Sequence, residues 1–196
     1  MNWKTVRLGD YCSVVNGSTP KTAIEEFWNG KIIWITPTDL GKNKGKYIYD
    51  SERKITESGY NSANTNLIPK NSIILSTRAP IGHIAINSSE VCTNQGCKGI
   101  IPNGKLNVDF LYHYLKNNKE ELNNLGSGST FKELSTNSLL SFNIPLPPID
   151  EQKCIVKIIE KKLNAIEKAK TVIEKQKLLL NDLSSSILRK AFNGEY

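Results

Sequence analysis

The feature that most constrains this 196-residue chain is the absence of proline and glycine from residues 150–193. The run follows Pro147 and Pro148, which cannot continue a helix, and Asp150 stands where a helix N-cap belongs. The sequence therefore predicts one long helix from residue 150 to about residue 188. Thirty helical residues span roughly 45 Å, which is longer than a domain of about 150 residues needs. We expect this helix to pair with a helix of another chain; packing on its own domain is the alternative.

A row of apolar residues marks the side of this helix that would meet a partner. The residues recur at intervals of seven, as one position of a coiled-coil heptad does, and they are Ile159, Ile166, Ile173, Leu180 and Ile187. The companion row of the heptad includes the polar residues Lys162 and Gln176 and is weaker. Glu and Lys crowd the remaining surface, as is typical of a solvated face. We interpret the strong row as a dimerisation surface.

The residues before the helix have a mixed pattern. Short β-branched runs separated by Gly, Asn and Pro predict strands at residues 31–36, 72–77, 83–87 and 98–101. Apolar spacing predicts helices at residues 107–122, beginning near Asn107 or Asp109, and at residues 131–140. The predicted fold class is α+β: a compact mixed domain of short strands and helices over residues 1–149, followed by a long C-terminal coiled-coil helix over residues 150–196.

Charge and composition limit the kinds of partner and the cellular location that we expect for this chain. Lys and Arg number 26 against 19 Asp and Glu, and the net charge of +7 favours a polyanionic partner such as nucleic acid. We find no leader at the amino terminus and no apolar run that could span a membrane, and we expect a cytoplasmic protein. The four cysteines should remain thiols; Cys92 and Cys97 are spaced C-x4-C, but no second ligand pair accompanies them, so no metal site is expected.

A basic segment at residues 42–54 is the first candidate for contact with nucleic acid. Its cations alternate with glycines and tyrosines, a composition suited to flexible contact with phosphates, and they are Lys42, Lys44, Lys46, Arg53 and Lys54. A solvated hairpin rich in lysine is the alternative interpretation.

Three further segments are candidates for contact with bases or phosphates. Thr77 and Arg78 follow a predicted strand, and Arg is well shaped to grip guanine; a salt bridge within the fold is the alternative. Asn94 and Gln95 carry amides that suit adenine, although Asn and Gln in a glycine turn are often structural. The third segment offers hydroxyls and a lysine before a predicted helix, where phosphates bind, unless it is a plain linker: Ser129, Thr130 and Lys132.

Two other function classes compete with nucleic-acid binding. Asp39, Glu52 and Lys54 imitate the carboxylates and lysine of a small metal-dependent nuclease, a pattern that is short and common by chance. A purely structural coiled-coil adaptor would explain the helix but not the basic segment. The sequence has no glycine-rich phosphate loop, no dinucleotide-binding glycine triplet and no His-Glu-x-x-His helix, and we assign no catalytic residue to it.

The chain resembles a specificity subunit of a type I restriction-modification system, cut to one half. The matching strings occur in family order along nearly the whole sequence: Trp3-Lys4 with Leu8-Gly9-Asp10; Gly17-Ser18-Thr19-Pro20; Phe27-Trp28-Asn29-Gly30 with Ile33-Trp34-Ile35; residues 73–82 (IILSTRAPIG); Thr93-Asn94-Gln95-Gly96; Gly128-Ser129-Thr130 before Leu134; residues 144–148 (IPLPP) with Glu151-Gln152; and residues 188–195 (LRKAFNGE).

The resemblance implies a target recognition domain for double-stranded DNA and a long helix that spaces two such domains. A full-length member has two domains and two helical regions, whereas one of each is present here, so the resemblance implies that two copies combine. An antiparallel homodimer would read inverted half-sites of an interrupted palindrome. Methyltransferase subunits and a restriction subunit would dock on it and bring S-adenosylmethionine, ATP and Mg²⁺, so this chain would need no cofactor. A truncated or silent specificity cassette is the alternative.

Overall fold

The computed structural model describes residues 3–128 and 132–195, and its contacts divide the chain into two compact units, Met1–Lys153 and Cys154–Tyr196. The described residues contain ten strands: β1 Lys4–Arg7, β2 Cys12–Asn16, β3 Trp28–Ile35, β4 Tyr47–Ile48, β5 Lys54–Ile55, β6 Ile73–Ser76, β7 Ile84–Asn87, β8 Cys92–Thr93, β9 Cys97–Pro102 and β10 Asn143–Leu146. They also contain six α-helices: α1 Pro37–Lys42, α2 Glu57–Ser62, α3 Val108–Asn117, α4 Lys119–Asn124, α5 Thr136–Leu140 and α6 Ile149–Phe192. The α+β class with a long C-terminal helix is confirmed.

The first unit is organised by a five-stranded sheet in the order β2-β9-β6-β7-β4. Its pairs are antiparallel except β4 with β7, which run parallel. Strand β6 is buried along its whole length because it has a neighbour on each side and an apolar run that can face core on both surfaces. Ile73, Ile74 and Leu75 of this strand are fully buried and anchor the core.

Two smaller sheets complete the unit. β3 lies between β5 and β8, and β1 pairs with β10, which brings the amino-terminal strand beside the segment that precedes α6. Around β3, Trp28, Trp34, Ile55 and Cys92 form a separate apolar cluster. The unit therefore has a core beneath the main sheet and a second cluster rich in aromatic side chains.

The two middle helices differ from the sequence prediction. Residues 107–122 form two helices, not one, because Asn118 leaves the helical region with φ −98° and ψ 27°. Asn107 caps the first helix, since its side chain accepts a hydrogen bond from the Phe110 N–H at 3.0 Å. The second predicted helix begins at Thr136, with Ser135 as its cap, and Phe131 lies outside the described residues.

The long helix is present and has 44 residues, Ile149–Phe192. It begins one residue before the predicted start, so Asp150 is not the N-cap but lies in the first turn. A carboxylate in the first turn is still favourable because it faces the positive end of the helix dipole.

Gln152 ties the first turn of α6 to the rest of the first unit. The side chain is fully buried. Its Oε1 accepts a hydrogen bond from the Asn107 N–H at 2.8 Å, and its Nε2 donates to the carbonyls of Pro147 at 2.8 Å and Lys105 at 3.1 Å. One amide thus satisfies three backbone groups, and one of them, the Pro147 carbonyl, belongs to a buried residue.

Candidate functional site

An open polar cleft in the first unit gathers side chains from four separate segments. It has a volume of about 660 Å³. The four segments are the end of β2, the loop after β6, the turn between β8 and β9 with the start of β9, and the segment that leads into α5 with the first residue of that helix. The lining residues are Asn16, Gly17, Arg78, Gln95, Lys98, Ser127, Gly128, Glu133, Ser135 and Thr136. Arg78 and Gln95, which the sequence predicts as base-contacting residues, both line this one cleft.

Arg78 lies on the cleft in an ion pair with Glu133. Its Nη2 is 2.9 Å from the Glu133 carboxylate, and both side chains are about two-fifths exposed. The salt bridge within the fold, given above as the alternative for Arg78, is therefore present. Its neighbour Thr77 is fully buried and donates to the Gly96 carbonyl at 3.3 Å. The Thr77 hydroxyl shapes the loop and does not face solvent.

The turn at residues 94–96 presents one amide to solvent and uses the other internally. Asn94 Oδ1 accepts a hydrogen bond from the Gly96 N–H at 3.0 Å and so closes the turn. Gln95 is exposed and accepts a hydrogen bond from the Thr19 hydroxyl. Gly17 packs beneath this turn so closely that a Cβ there would lie 2.1 Å from the Asn94 carbonyl oxygen. The turn is thus held in place, with Gln95 as its outward side chain.

Lys98 and Asn16 belong to the cleft, although they are not among the residues predicted from the sequence. They are directly opposite each other on the paired strands β9 and β2, and Lys98 Nζ donates to Asn16 Oδ1 at 2.7 Å. The same amide oxygen accepts from the Thr136 hydroxyl at 2.9 Å. Lys98 is only 6% exposed, and burial lowers the pKa of its ammonium. A lysine within an apolar strand was the sequence signal that could have identified it.

The candidates around residue 130 are described only in part. Ser129 and Thr130 lie outside the described residues, whereas Lys132 is exposed. Ser127 and Glu133, which both line the cleft, exchange backbone hydrogen bonds at 3.0 and 2.8 Å. Because α5 begins at Thr136, Lys132 does not directly precede a helix, contrary to prediction.

The basic segment at residues 42–54 is largely neutralised within the fold. Lys42 pairs with Glu52, Lys54 with Asp50 at 2.9 Å, and the half-buried Lys46 with Asp109 at 2.7 Å. The segment contains part of α1 and the strands β4 and β5, so it is more ordered than a flexible loop.

Two cations of the segment are not in these pairs. The Arg53 guanidinium lies 3.5 Å from the centre of the Trp28 ring and 5.9 Å from that of Trp34, a cation–π arrangement. Lys44 is exposed, as is Tyr49, which has 70% of its surface accessible. None of the candidate cations of residues 42–54 lines the cleft described above.

The carboxylates of the nuclease hypothesis serve structural purposes. Asp39 Oδ2 accepts hydrogen bonds from the N–H and hydroxyl of Thr36 at 2.8 and 2.6 Å, forming the capping box of α1. Its Oδ1 accepts from the Glu52 N–H at 2.9 Å. The Glu52 and Lys54 side chains are each paired elsewhere, with Lys42 and Asp50. The three groups therefore do not assemble into the predicted metal and lysine arrangement.

The cysteines are buried except for Cys154. Burial raises the pKa of the Cys12 thiol to about 12 and that of Cys92 to about 11, and it also raises the pKa of Cys97. Over residues 3–128 and 132–195, no group of three or more His, Cys, Asp or Glu side chains is placed to hold a metal ion.

The apolar row of α6 is exposed over most of its length. Ile159 is half-buried, and Ile166, Ile173, Leu180 and Ile187 are 52–64% exposed. Ile158, Val172 and Leu179, each one residue before a member of the row, are exposed as well and widen the stripe. Within the described part of the chain, no helix combines the length and apolarity needed to cross a membrane.

Comparison with known sequences gives a consistent result. The chain matches the model of the type I restriction modification DNA specificity domain over residues 1–175. It is 36% identical, over 97% of its length, to the MjaIX specificity subunit of Methanocaldococcus jannaschii, and 33% identical, over 82%, to the EcoR124I/EcoR124II specificity subunit of Escherichia coli. These matches cover 44% and 40% of the relatives, so the chain spans less than half of their length.

Solved structures show the same fold. A structure concerned with complex assembly of the type I R-M system matches with a TM-score of 0.81 and 24% identity, over 99% of this chain and 46% of that one. The crystal structure of the HsdS subunit from Thermoanaerobacter tengcongensis matches with a TM-score of 0.73 and 24% identity, over 99% and 45%. The arrangement of a mixed domain followed by a long helix is therefore shared with these proteins.

Proposed function

The chain belongs to the type I restriction modification DNA specificity family, and we propose on that premise that it recognises a specific DNA sequence and does not itself catalyse a reaction. The observation that carries the proposal is the extent of the family match, which covers the whole first unit and continues into α6. S-adenosylmethionine, ATP and Mg²⁺ then belong to methyltransferase and restriction subunits that assemble with this chain.

The side chains that project at the cleft contact the bases. Gln95 is exposed on a fixed turn, and its amide can pair with adenine. Arg78 is the candidate for guanine, and its ion pair with Glu133 holds the guanidinium in place until DNA competes for it. Lys44, an exposed residue of the basic segment, is the candidate for contact with the phosphate backbone.

Two copies of the chain form a dimer that contains two DNA-recognition units. The apolar row of α6 is exposed along one helix, and a second copy offers an identical row that can cover it about a two-fold axis. If the helices run antiparallel, the two recognition units read inverted half-sites, and the target is an interrupted palindrome. Methyltransferase and restriction subunits dock beside the paired helices.

Selection of bound duplexes from a randomised pool tests the proposal. We expect the enriched sequences to contain one short motif repeated in inverted orientation at a fixed spacing. A single motif without its inverted copy would retain the recognition function but overturn the two-fold arrangement. Enrichment of no sequence would overturn the proposed function and favour a silent cassette or a structural adaptor.

Substitution of Arg78 tests the assignment of base reading. Arg78→Ala should reduce affinity for the selected site and relax its preference at one base pair, a change worth about 1–3 kcal/mol. Lys44→Ala, the matched control, should weaken binding to selected and random duplexes alike, because phosphates are present in both. Equal losses on the two duplexes for Arg78→Ala would contradict its role as a base reader.

A further inference from the structure

Lys98 occupies an unusual position for a cation. It lies on β9, between β2 and β6 in the main sheet, with Asn16 and Leu75 as its strand partners. Among the described residues it is the only lysine or arginine in the buried class. An ammonium group removed from water is costly unless an anion or several acceptors compensate for it.

The fold supplies little compensation for this charge. Among the described residues, the hydrogen bond of the ammonium is to Asn16 Oδ1, a neutral oxygen that also accepts from Thr136. The carboxylate on the cleft, Glu133, is hydrogen-bonded to Arg78. Two cations thus share one carboxylate, and the cleft carries a net positive charge. The lowered pKa of Lys98, due first to burial and opposed by Glu133, agrees with this imbalance.

The shape of the site indicates which part of DNA would neutralise it. Base edges are recessed in the grooves of a duplex, so a protein reaches them with projecting side chains. Backbone phosphates project from the duplex and can enter a concavity. Lys98 lines an open cleft of about 660 Å³ and is buried, so its side chain does not project from the surface. A concave site with a recessed cation is complementary to a phosphate and not to a base edge.

We infer that the cleft binds one backbone phosphate of DNA, with the Lys98 ammonium as the donor and with Asn16, itself bonded by Thr136, holding that ammonium in position. The inference rests on the proposed DNA recognition and assigns to it a particular contact. It also assigns different DNA contacts to different side chains of the cleft. The recessed Lys98 binds the backbone, whereas Gln95 and Arg78 at the surface remain the candidates for contact with bases.

Binding measured against salt concentration tests the inference with Lys98→Met, a change that keeps an unbranched side chain, one atom shorter, and removes its charge. Each phosphate contact contributes about 0.9 to the slope of log affinity against log salt. Between 50 and 200 mM salt, wild-type protein should therefore lose about 3.5-fold more affinity per recognition unit than the variant. The difference should be the same on selected and random duplexes, and the variant should melt no lower than wild type.

Lys70→Met is the matched control, because it removes an equal charge from an exposed turn that does not line the cleft. A second measurement uses the wild-type protein with duplexes in which single phosphates are replaced by neutral methylphosphonates. One phosphate per half-site should weaken wild-type binding when neutralised and should have no effect on Lys98→Met.

The outcomes separate this inference from the proposed function. An unchanged salt slope for Lys98→Met, or an equal decrease for Lys70→Met, would overturn the phosphate site even if sequence preference is found. A reduced slope without sequence preference would support the phosphate site and overturn the proposed function. Failure of the wild-type chain to bind any duplex at low salt would overturn both.

Discussion

Replacement of Ile173 by Asp probes the pairing of α6, because Ile173 is the middle member of the apolar row. The side chain is 62% exposed in the single chain. Full burial of an isoleucine contributes about 1.5–3 kcal/mol, so covering the exposed part contributes about 1–2 kcal/mol per chain and about 2–4 kcal/mol per dimer. Ile173→Asp should therefore raise the dimer dissociation constant by about 30- to 700-fold. In a fully overlapped antiparallel pair the two carboxylates also meet, which increases the effect.

Sedimentation equilibrium or light scattering over a concentration series measures this change. Wild-type protein should have a mass near twice 21.9 kDa at concentrations where Ile173→Asp is a single copy. Thr171→Asp is the matched control: it adds the same charge two residues away, on an exposed position outside the apolar row. Circular dichroism should show equal helix content in all three proteins.

Two results would refute this reasoning. A wild-type chain that remains a single copy at every concentration would show that the row does not pair with a second copy. A Thr171→Asp variant that dissociates as readily as Ile173→Asp would show that charge on the helix, and not loss of the apolar row, controls assembly.

Three further predictions concern the first unit and the thiols. Gln152→Met removes the partner of the half-buried Asn107 N–H and of the buried Pro147 carbonyl, and at about 1–3 kcal/mol for each unsatisfied group the free energy of unfolding should fall by about 2 kcal/mol or more; an unchanged urea midpoint would contradict this. At pH 8, Ellman's reagent should titrate only Cys154 in the native protein and all four thiols in urea, and a second rapidly reacting thiol would be inconsistent with burial of the other three. The pKa of Lys98 is lowered on folding, so between the folded and unfolded pKa values the unfolded chain binds more protons, and the free energy of unfolding of the wild type rises with pH. Lys98→Met should therefore exceed the wild type in stability most at neutral pH, and this difference should shrink as pH rises toward about 10.4. A difference in urea unfolding that does not change with pH would contradict this prediction.

The elements that the sequence predicts correctly are those with a long or strongly apolar local pattern. The four predicted strands correspond to β3, β6, β7 and β9, and the long helix is present. Strands β4 and β5 have two residues each, and their partners are distant in the chain: Tyr47 pairs with Ile86. Their existence depends on the rest of the sheet, so no local pattern can show it.

Residues of the candidate site could be predicted from the sequence only where the type of side chain itself indicates what it can bind. Arg78 and Gln95 could be selected as side chains suited to base edges. Lys98 and Asn16 become neighbours through pairing of two strands that are 82 residues apart in the chain. The opposite error occurs in the basic segment, where a count of cations could not show that Lys46 would meet Asp109. The charge that a surface presents depends on ion pairs between residues distant in the chain, and a count of charged residues along the sequence cannot reveal these pairs.

The stack of Arg53 on Trp28 makes the intrinsic tryptophan fluorescence of the protein sensitive to the position of Arg53. Two of the three tryptophans, Trp28 and Trp34, meet edge to face at 5.1 Å, and the guanidinium lies over one of them. The third, Trp3, is elsewhere in the unit and donates a hydrogen bond to Glu151. A ligand that draws Arg53 away from the rings changes the emission of that pair, whereas a ligand held only at Lys98 leaves the stack in place. Intrinsic fluorescence during a DNA titration would thus distinguish engagement of the basic segment from engagement of the cleft without any label.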